Sequence, residues 1–315
     1  MISYILRRLG IAIVVVIGVM LAVFTALHIV APSPAHAVLG LKATPHAIAA
    51  FNHAHGYDRS LGRQFITYVN QTIHGNLGVS YKANQSVVDL FKENAGRSAL
   101  LSGVSLLVAV LIAVPVGIGQ AVKRNSVFDY AATGVSFTLY SIPSFFIGLL
   151  LIAIFALKLN WLPFEASQAT SVVGVLKDPR SMILPVAALS AVQVASFSRY
   201  QRSSALDNLA QDYVKVARAK GLSERTVLVR HLARNSALPL VTLVGLSLPD
   251  LLAGNVITEQ VFNYPGLGLL FYNALGNEDY PILLAYTLVG AVLVVIGNLV
   301  ADIALTIADP RIRLT

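Results

Sequence analysis

Six apolar runs constrain this chain more than anything else in it: Leu9–Val30, Ser98–Val122, Tyr130–Leu157, Met182–Phe197, Ala237–Ile257 and Ile282–Leu305. A bilayer span needs about 20 predominantly apolar residues. Five of the runs meet that length, and the shorter Met182–Phe197 ends at Arg199. Tyr130–Leu157 contains Pro143, which predicts a kink or a break there. Composition agrees, with 56% hydrophobic and 12% charged residues against roughly 25% charged in soluble domains. The reading is an all-α membrane protein of six transmembrane helices, one transmembrane domain over residues 1–315. A secretory signal peptide competes for the N-terminus, because Ala35-His36-Ala37 has the form of a cleavage site. Leu9–Val30 is longer than the roughly 7–15 residues of a signal core, so an uncleaved first span is expected.

Charge placement gives the orientation. With Arg7 and Arg8 inside, the inside also holds Lys123, Arg124, a basic stretch from Arg199 to Arg234, Arg311 and Arg313. The short outer loops hold only Lys158, Lys177 and Arg180. Both termini are therefore expected in the cytoplasm. The net charge of +8 could suggest nucleic acid or anionic lipid, but this distribution argues for membrane topology instead. Residues 32–97 form the longest polar segment and are expected outside as an insertion between the first two spans. Within it Thr44 and Pro45 open a helix through TPHAIAAFNHAH, and QFITYVNQTI forms another.

The segment at 199–236 cannot cross a bilayer, because charges interrupt it too often. Leu206, Leu209 or Ala210, Tyr213, and Val216 or Ala217 recur at helical spacing. Gly221 offers a left-handed stop. Ser223 can cap a second helix with Glu224 in its first turn. That helix runs through Val227, Leu228 and Leu232 and ends among Arg230, His231 and Arg234. The result is a helix–glycine–cap–helix knuckle, or else a solvated basic hairpin joining two spans.

Chemistry-bearing motifs are sparse. The chain has no G-x-x-x-x-G-K-[ST], no G-x-S-x-G and no H-E-x-x-H. With no cysteine, disulfides and thiolate metal sites are excluded. His53 and His55, with His46 and His74 nearby, lack further ligands at convincing spacing, so no metal site is assigned. From Glu259 to Pro281, Pro265-Gly266 marks a tight turn and Gly268 a flexible point. Leu269, Leu270, Tyr272 and Leu275 then suggest a short outer helix with one apolar face. Asp250 is an ionisable group inside the fifth run, after Pro249. It is either a structural hydrogen-bonding group or a path-lining one, and needs a partner, water or a proton at that depth.

Several of these stretches resemble one family, the permease subunits of ABC importers, in the dipeptide and oligopeptide branch. Tyr213, Ala217, Arg218, Ala219, Gly221, Leu222, His231, Asn235 and Pro239 resemble its cytoplasmic "EAA" loop, although Lys215 stands where the general consensus has Glu. Gly75-Asn76-Leu77-Gly78 and Ser80 resemble "G-D-L-G-x-S", with Asn76 replacing Asp, and Gly56-Tyr57-Asp58 resembles "G-L-D". Glu259, Val261, Phe262, Pro265, Gly266 and Gly268 resemble "E-x-V-F-x-x-P-G-x-G"; Asp279 and Pro281 match "D-x-P"; Asp302 and Asp309–Arg313 match the C-terminal end.

The resemblance implies half of a translocation path in a bacterial inner membrane. A second related permease subunit, two ATP-binding domains and a secreted or lipid-anchored substrate-binding protein would be its partners. The cargo would be peptide, and ATP and Mg would be bound on partner chains, with no cofactor in this one. The loop with Tyr213, Ala217, Arg218, Ala219, Gly221, Leu222, Ser223 and His231 would couple to the ATPase. Glu259, Phe262, Pro265, Gly266, Gly268 and Asp279 would serve an outer gate or contact with the binding protein. Nickel, heme or glutathione carriage by the same permease type is an alternative, and a carrier driven by an ion gradient is another. The latter would normally show repeated halves and more ionisable residues in its spans.

Overall fold

Long apolar stretches without helix breakers satisfy their own backbone groups as helices, and helix dominates the computed structural model. The described residues are 2–40, 42–247 and 253–308. Their helices are α1 (Ile2–Val30), α2 (Ala35–Leu39), α3 (Pro45–His55), α4 (Leu61–Ile73), α5 (Val87–Val122), α6 (Val127–Ser141) and α7 (Ser144–Leu151). They continue with α8 (Val172–Leu176), α9 (Arg180–Leu209), α10 (Asp212–Ala219), α11 (Glu224–Thr226), α12 (Arg234–Ser236), α13 (Leu238–Leu246), α14 (Val256–Val261), α15 (Leu267–Gly276) and α16 (Tyr280–Ala308). Ile152–Lys158 after α7 and Val227–Ala233 between α11 and α12 are π-helical. Among the described residues the only β pairing is one isolated bridge, Val79 with Ser86.

Among the described residues four stretches are long and apolar enough to cross a membrane: Gly10–Val30 in α1, all of α5, all of α9, and Tyr280–Val300 in α16. The run expected to break at Pro143 does so. Ile142 is extended (φ −81°, ψ 130°), as a residue before proline prefers. The two arms, Val127–Ser141 and Ser144–Lys158, meet at 105°, and they make a fifth crossing if counted as one. The fifth run, Ala237–Ile257, is not one continuous helix. Leu238–Leu246 is helical, whereas Gly254 is left-handed (φ 82°) and Asn255 is extended and caps α14. Pro249 and Asp250 lie outside the described residues, as do Asp309 to Arg313.

Close packing of α5 against α9 forms the centre. A Cβ on Gly117 of α5 would sit 2.7 Å from both Gln201 Cβ and the Ser198 carbonyl oxygen of α9. Only glycine permits that approach. Leu101, Ile147, Met182, Leu184, Phe262 and Tyr264 make the principal apolar cluster. On the other flank α16 packs on α1 and α13.

The segment at 32–97 keeps its expected helices. Thr44 accepts a hydrogen bond from the Ala47 N–H (3.2 Å), with Pro45 in the first turn of α3. α4 leans on the spans, with the Phe65 ring 5.4 Å from Phe24 and the Tyr68 hydroxyl donating to the Leu284 carbonyl (3.2 Å). The helix of the second run starts at Val87 rather than at Ser98, so the polar end of residues 32–97 is an extension of α5.

Candidate functional site

The cytoplasmic-type knuckle forms from the residues that suggested it. α9 stops at Leu209. Gln211 is extended (φ −74°, ψ 150°), and α10 starts at Asp212. This break corrects the single helical stripe expected from Leu206 to Ala217, because the phase resets at Gln211. The buried residues beyond it are Val214 and Ala217, while Val216 is exposed. Tyr213 and Leu209 cover the Val214, Ala217 and Val227 cluster, and the Tyr213 hydroxyl donates to Asn208 Oδ1 (2.8 Å). Gly221 is left-handed (φ 73°) with open space where a Cβ would lie. The Ser223 hydroxyl accepts from the Thr226 N–H (3.4 Å), the cap expected of it. Arg218 grips Glu224 through Nε and a terminal nitrogen (2.8 and 3.3 Å), bridging the glycine on the exposed side.

The second arm does not end at Arg234. From Glu224 it runs through the π-helical Val227–Ala233 into α12, and on to α13. Such wide turns are frequent at functional sites. Ala219, Gly221, Leu222 and Val229 are exposed beside Lys220, Arg225 and Arg230, and His231 is half-buried. The outer face of the knuckle is therefore apolar and basic at once.

At the opposite end, Glu259 is fully buried and organises the turn that follows it. Its Oε1 accepts from Ser98 Oγ (2.7 Å) and the Asn255 N–H (3.2 Å), and its Oε2 from the Leu269 N–H (3.0 Å). Ser98 Oγ in turn accepts from the Leu267 N–H (2.8 Å). The carboxylate thus caps the N-terminus of α15 from a neighbouring helix. Burial pushes the Glu259 carboxyl above its ordinary range, against the pull of the Ser98, Leu269, Asn255 and Gly268 donors.

Two glycines make room for this carboxylate, and a third for the backbone before it. A Cβ on Gly254 would lie 2.6 Å from Glu259 Oε1, one on Gly266 would collide with Oε2, and one on Gly268 would lie 2.7 Å from the Val256 backbone. The Tyr264 hydroxyl donates to the Arg97 carbonyl (2.7 Å) and closes the turn onto α5.

Asp279 ties the segment at 32–97 to the start of α16. Ser80 Oγ donates to its Oδ2 (2.5 Å), and the Tyr81 and Lys82 N–H groups approach at 3.3 Å each. A Cβ on left-handed Gly78 would meet Pro281 at 3.2 Å. Two motifs far apart in the chain, Gly75–Ser80 and Asp279–Pro281, are therefore one joint.

Glu259, Phe262, Gly266, Gly268 and Asp279 are all buried, and Pro265 is half-buried. Inside the chain, the polar groups of Glu259 and Asp279 place α14, α15 and the start of α16. The exposed face of α15 carries Tyr272 and Leu275, two of the four residues of the expected apolar face, while Leu267, Gly268 and Ala274 face inward. The Leu269 N–H bond and the Gly268 approach fix that register.

Sequence reasoning missed Ser98, Gly254, Asp129, Gln201, Arg202 and Ser236. Each works with a partner remote in the chain, and Ser98 and Glu259 are 161 residues apart.

A family model described as "Binding-protein-dependent transport system inner membrane component" matches residues 113–314. The chain belongs to that family. A companion model, "Binding-prot-dependent transport system membrane comp, N-term", matches residues 1–94. In this inner membrane component the Ser80–Asp279 joint links the two matched regions. Relatives resemble it over their whole length. The "Oligopeptide transport system permease protein AppB" of Bacillus subtilis is 34% identical over 315 residues, covering 99% of this chain and 100% of the relative. The "Dipeptide transport system permease protein DppB" of Escherichia coli K12 is 33% identical over 336 residues, covering 99% of each. The "Di/tripeptide transport system permease protein DppB" of Pseudomonas aeruginosa is 34% identical over 333 residues, again covering 99% of each.

Proposed function

We propose that this inner membrane component is the permease subunit of an ATP-driven peptide importer and forms half of the translocation path. The observation that carries the reading is full-length likeness to permeases named for dipeptides and oligopeptides. The knuckle supports it, since its exposed apolar and basic face suits a cleft on a separate ATP-hydrolysing subunit. In this reading the chain makes six crossings, with Leu238–Leu246 beginning the fifth and both termini in the cytoplasm. A related permease subunit completes the path, and a binding protein delivers peptide to the outer side. The outer joint and the Glu259 cap hold α15 rigid beneath that delivery.

The test is uptake of a labelled dipeptide into proteoliposomes holding this chain with its partner permease and ATPase subunits, plus the binding protein. Accumulation that requires ATP on the knuckle side is expected. Accumulation driven by an imposed ion gradient without ATP would overturn the proposal.

A further inference from the structure

We infer that Gln201, Ser236, Arg202 and Asp129 form a latch that makes the helices around the knuckle one lever. The inference rests on the importer reading, which supplies the force that moves the knuckle. The knuckle has two exits, α9 on one side and α12–α13 on the other. The first exit has a break in the helix beside it, at Ala210–Gln211, whereas the second continues through Ala237, whose N–H bonds the Ala233 carbonyl. With nothing between the exits, a displacement of the knuckle would be absorbed at that break instead of reaching α9.

One buried hydrogen bond spans them. Gln201 Nε2 of α9 donates to Ser236 Oγ of α12 at 2.8 Å, and both residues are at most 1% exposed. Gln201 lies against Gly117, whose missing Cβ lets α5 and α9 touch at the same level.

The next residue extends the latch to α6. The Arg202 guanidinium forks onto Asp129, Nε to Oδ1 at 2.7 Å and a terminal nitrogen to Oδ2 at 2.8 Å. The Asn125 N–H also donates to Asp129 (3.0 Å), so the loop entering α6 is held with it. A two-pronged Arg–carboxylate pair fixes orientation as well as distance. Further along the same helices the Ser136 and Ser198 hydroxyls lie 3.3 Å apart. Consecutive residues of α9 thus bind α12 and α6, and Gln201 also packs on α5.

Stability alone does not account for Gln201. Its Oε1 is buried with no hydrogen-bond partner among the described residues, and an amide half satisfied in a buried site costs more than an apolar side chain of the same shape. A residue that joins two moving parts explains why an amide stands there. These are positioning residues, because their polar groups are spent on one another.

The experiment uses the assembled importer in proteoliposomes with its binding protein, and reads peptide taken up per ATP hydrolysed. Ser236→Ala and Asp129→Asn are expected to lower that ratio at least threefold at near wild-type hydrolysis per assembled complex. Ser236→Thr, which keeps the hydroxyl, is expected to restore it. An unchanged ratio in Ser236→Ala overturns the latch, as does a loss of uptake and hydrolysis in step with loss of assembled complex. If Asp129→Asn does not assemble, Ser236→Ala decides alone. Wild-type uptake that needs no ATP would overturn the importer reading and the latch with it. ATP-driven wild-type uptake with unchanged variant ratios overturns the latch only.

Discussion

A buried carboxylate held by a hydroxyl and backbone N–H groups is not replaceable by its amide. In Glu259→Gln the new NH₂ group would face one of the donors now served by an oxygen, Ser98, Asn255 or Leu269. That leaves at least one buried donor unpaired, at a cost of about 1–3 kcal/mol. A lower melting temperature of the purified protein in detergent is the expected outcome, with Ser98→Ala showing a smaller drop in the same assay. Gly221 poses the opposite problem. There is room for a side chain, and only the left-handed backbone resists one. Valine should therefore disrupt the knuckle, by about 1–2 kcal/mol or more, whereas asparagine, which tolerates that conformation, should be mild. Gly221→Val is expected to insert normally and to lose ATPase-subunit binding in a pull-down, with Gly221→Asn retaining most of it. Equal binding by both variants would show that the turn does not depend on this backbone conformation.

At the scale of elements, polar contacts fasten the segment at 32–97 to the spans. Ser80 and Asp279 join its last turn to α16, and the Tyr68 hydroxyl donates to the Leu284 carbonyl (3.2 Å). The Tyr57 and Tyr81 hydroxyls pair at 2.6 Å beside this joint. Asp279→Leu would leave the Ser80 hydroxyl and two N–H groups without their acceptor. Amide hydrogen exchange should then rise in Gly75–Ala83, while α5 and α9 exchange as in the wild type. Unchanged protection of Gly75–Ala83 would mean that aromatic packing, not the carboxylate, holds the insertion. The bent pair α6–α7 shows how one proline turns a single apolar run into two elements. Its 105° angle follows from the extended Ile142 before Pro143.

For the whole molecule the testable quantity is topology. The chain lacks cysteine, so single substitutions give clean labelling sites. Lys82→Cys and Lys177→Cys are expected to react with a membrane-impermeant thiol reagent added outside intact cells. Arg218→Cys is expected to react only after the cells are opened. Outside labelling of Arg218→Cys would invert the orientation, and protection of Lys82→Cys would remove the outer placement of residues 32–97.

The helical membrane class, the break at Pro143, the Thr44 and Ser223 caps and the left-handed Gly221 were all legible in the sequence. Each depends on local rules, namely apolar run length, the geometry before proline, side-chain capping and the freedom of glycine. That Glu259 caps α15 was not legible, because nothing in its motif points to Ser98 of α5, which packing brings against the carboxylate. The facing of α15 escaped for a related reason. Tyr272 and Leu275 are apolar enough to be buried, but the Gly268 contact with Val256 turns them outward. Nor could any periodicity reveal that Gln201 meets Ser236, or that Arg202 meets Asp129. Sequence alone determined what each stretch does with its own backbone. Only the tertiary structure decided which buried polar groups meet, because a donor in a dry interior takes the acceptor that packing brings to it, however remote in the chain.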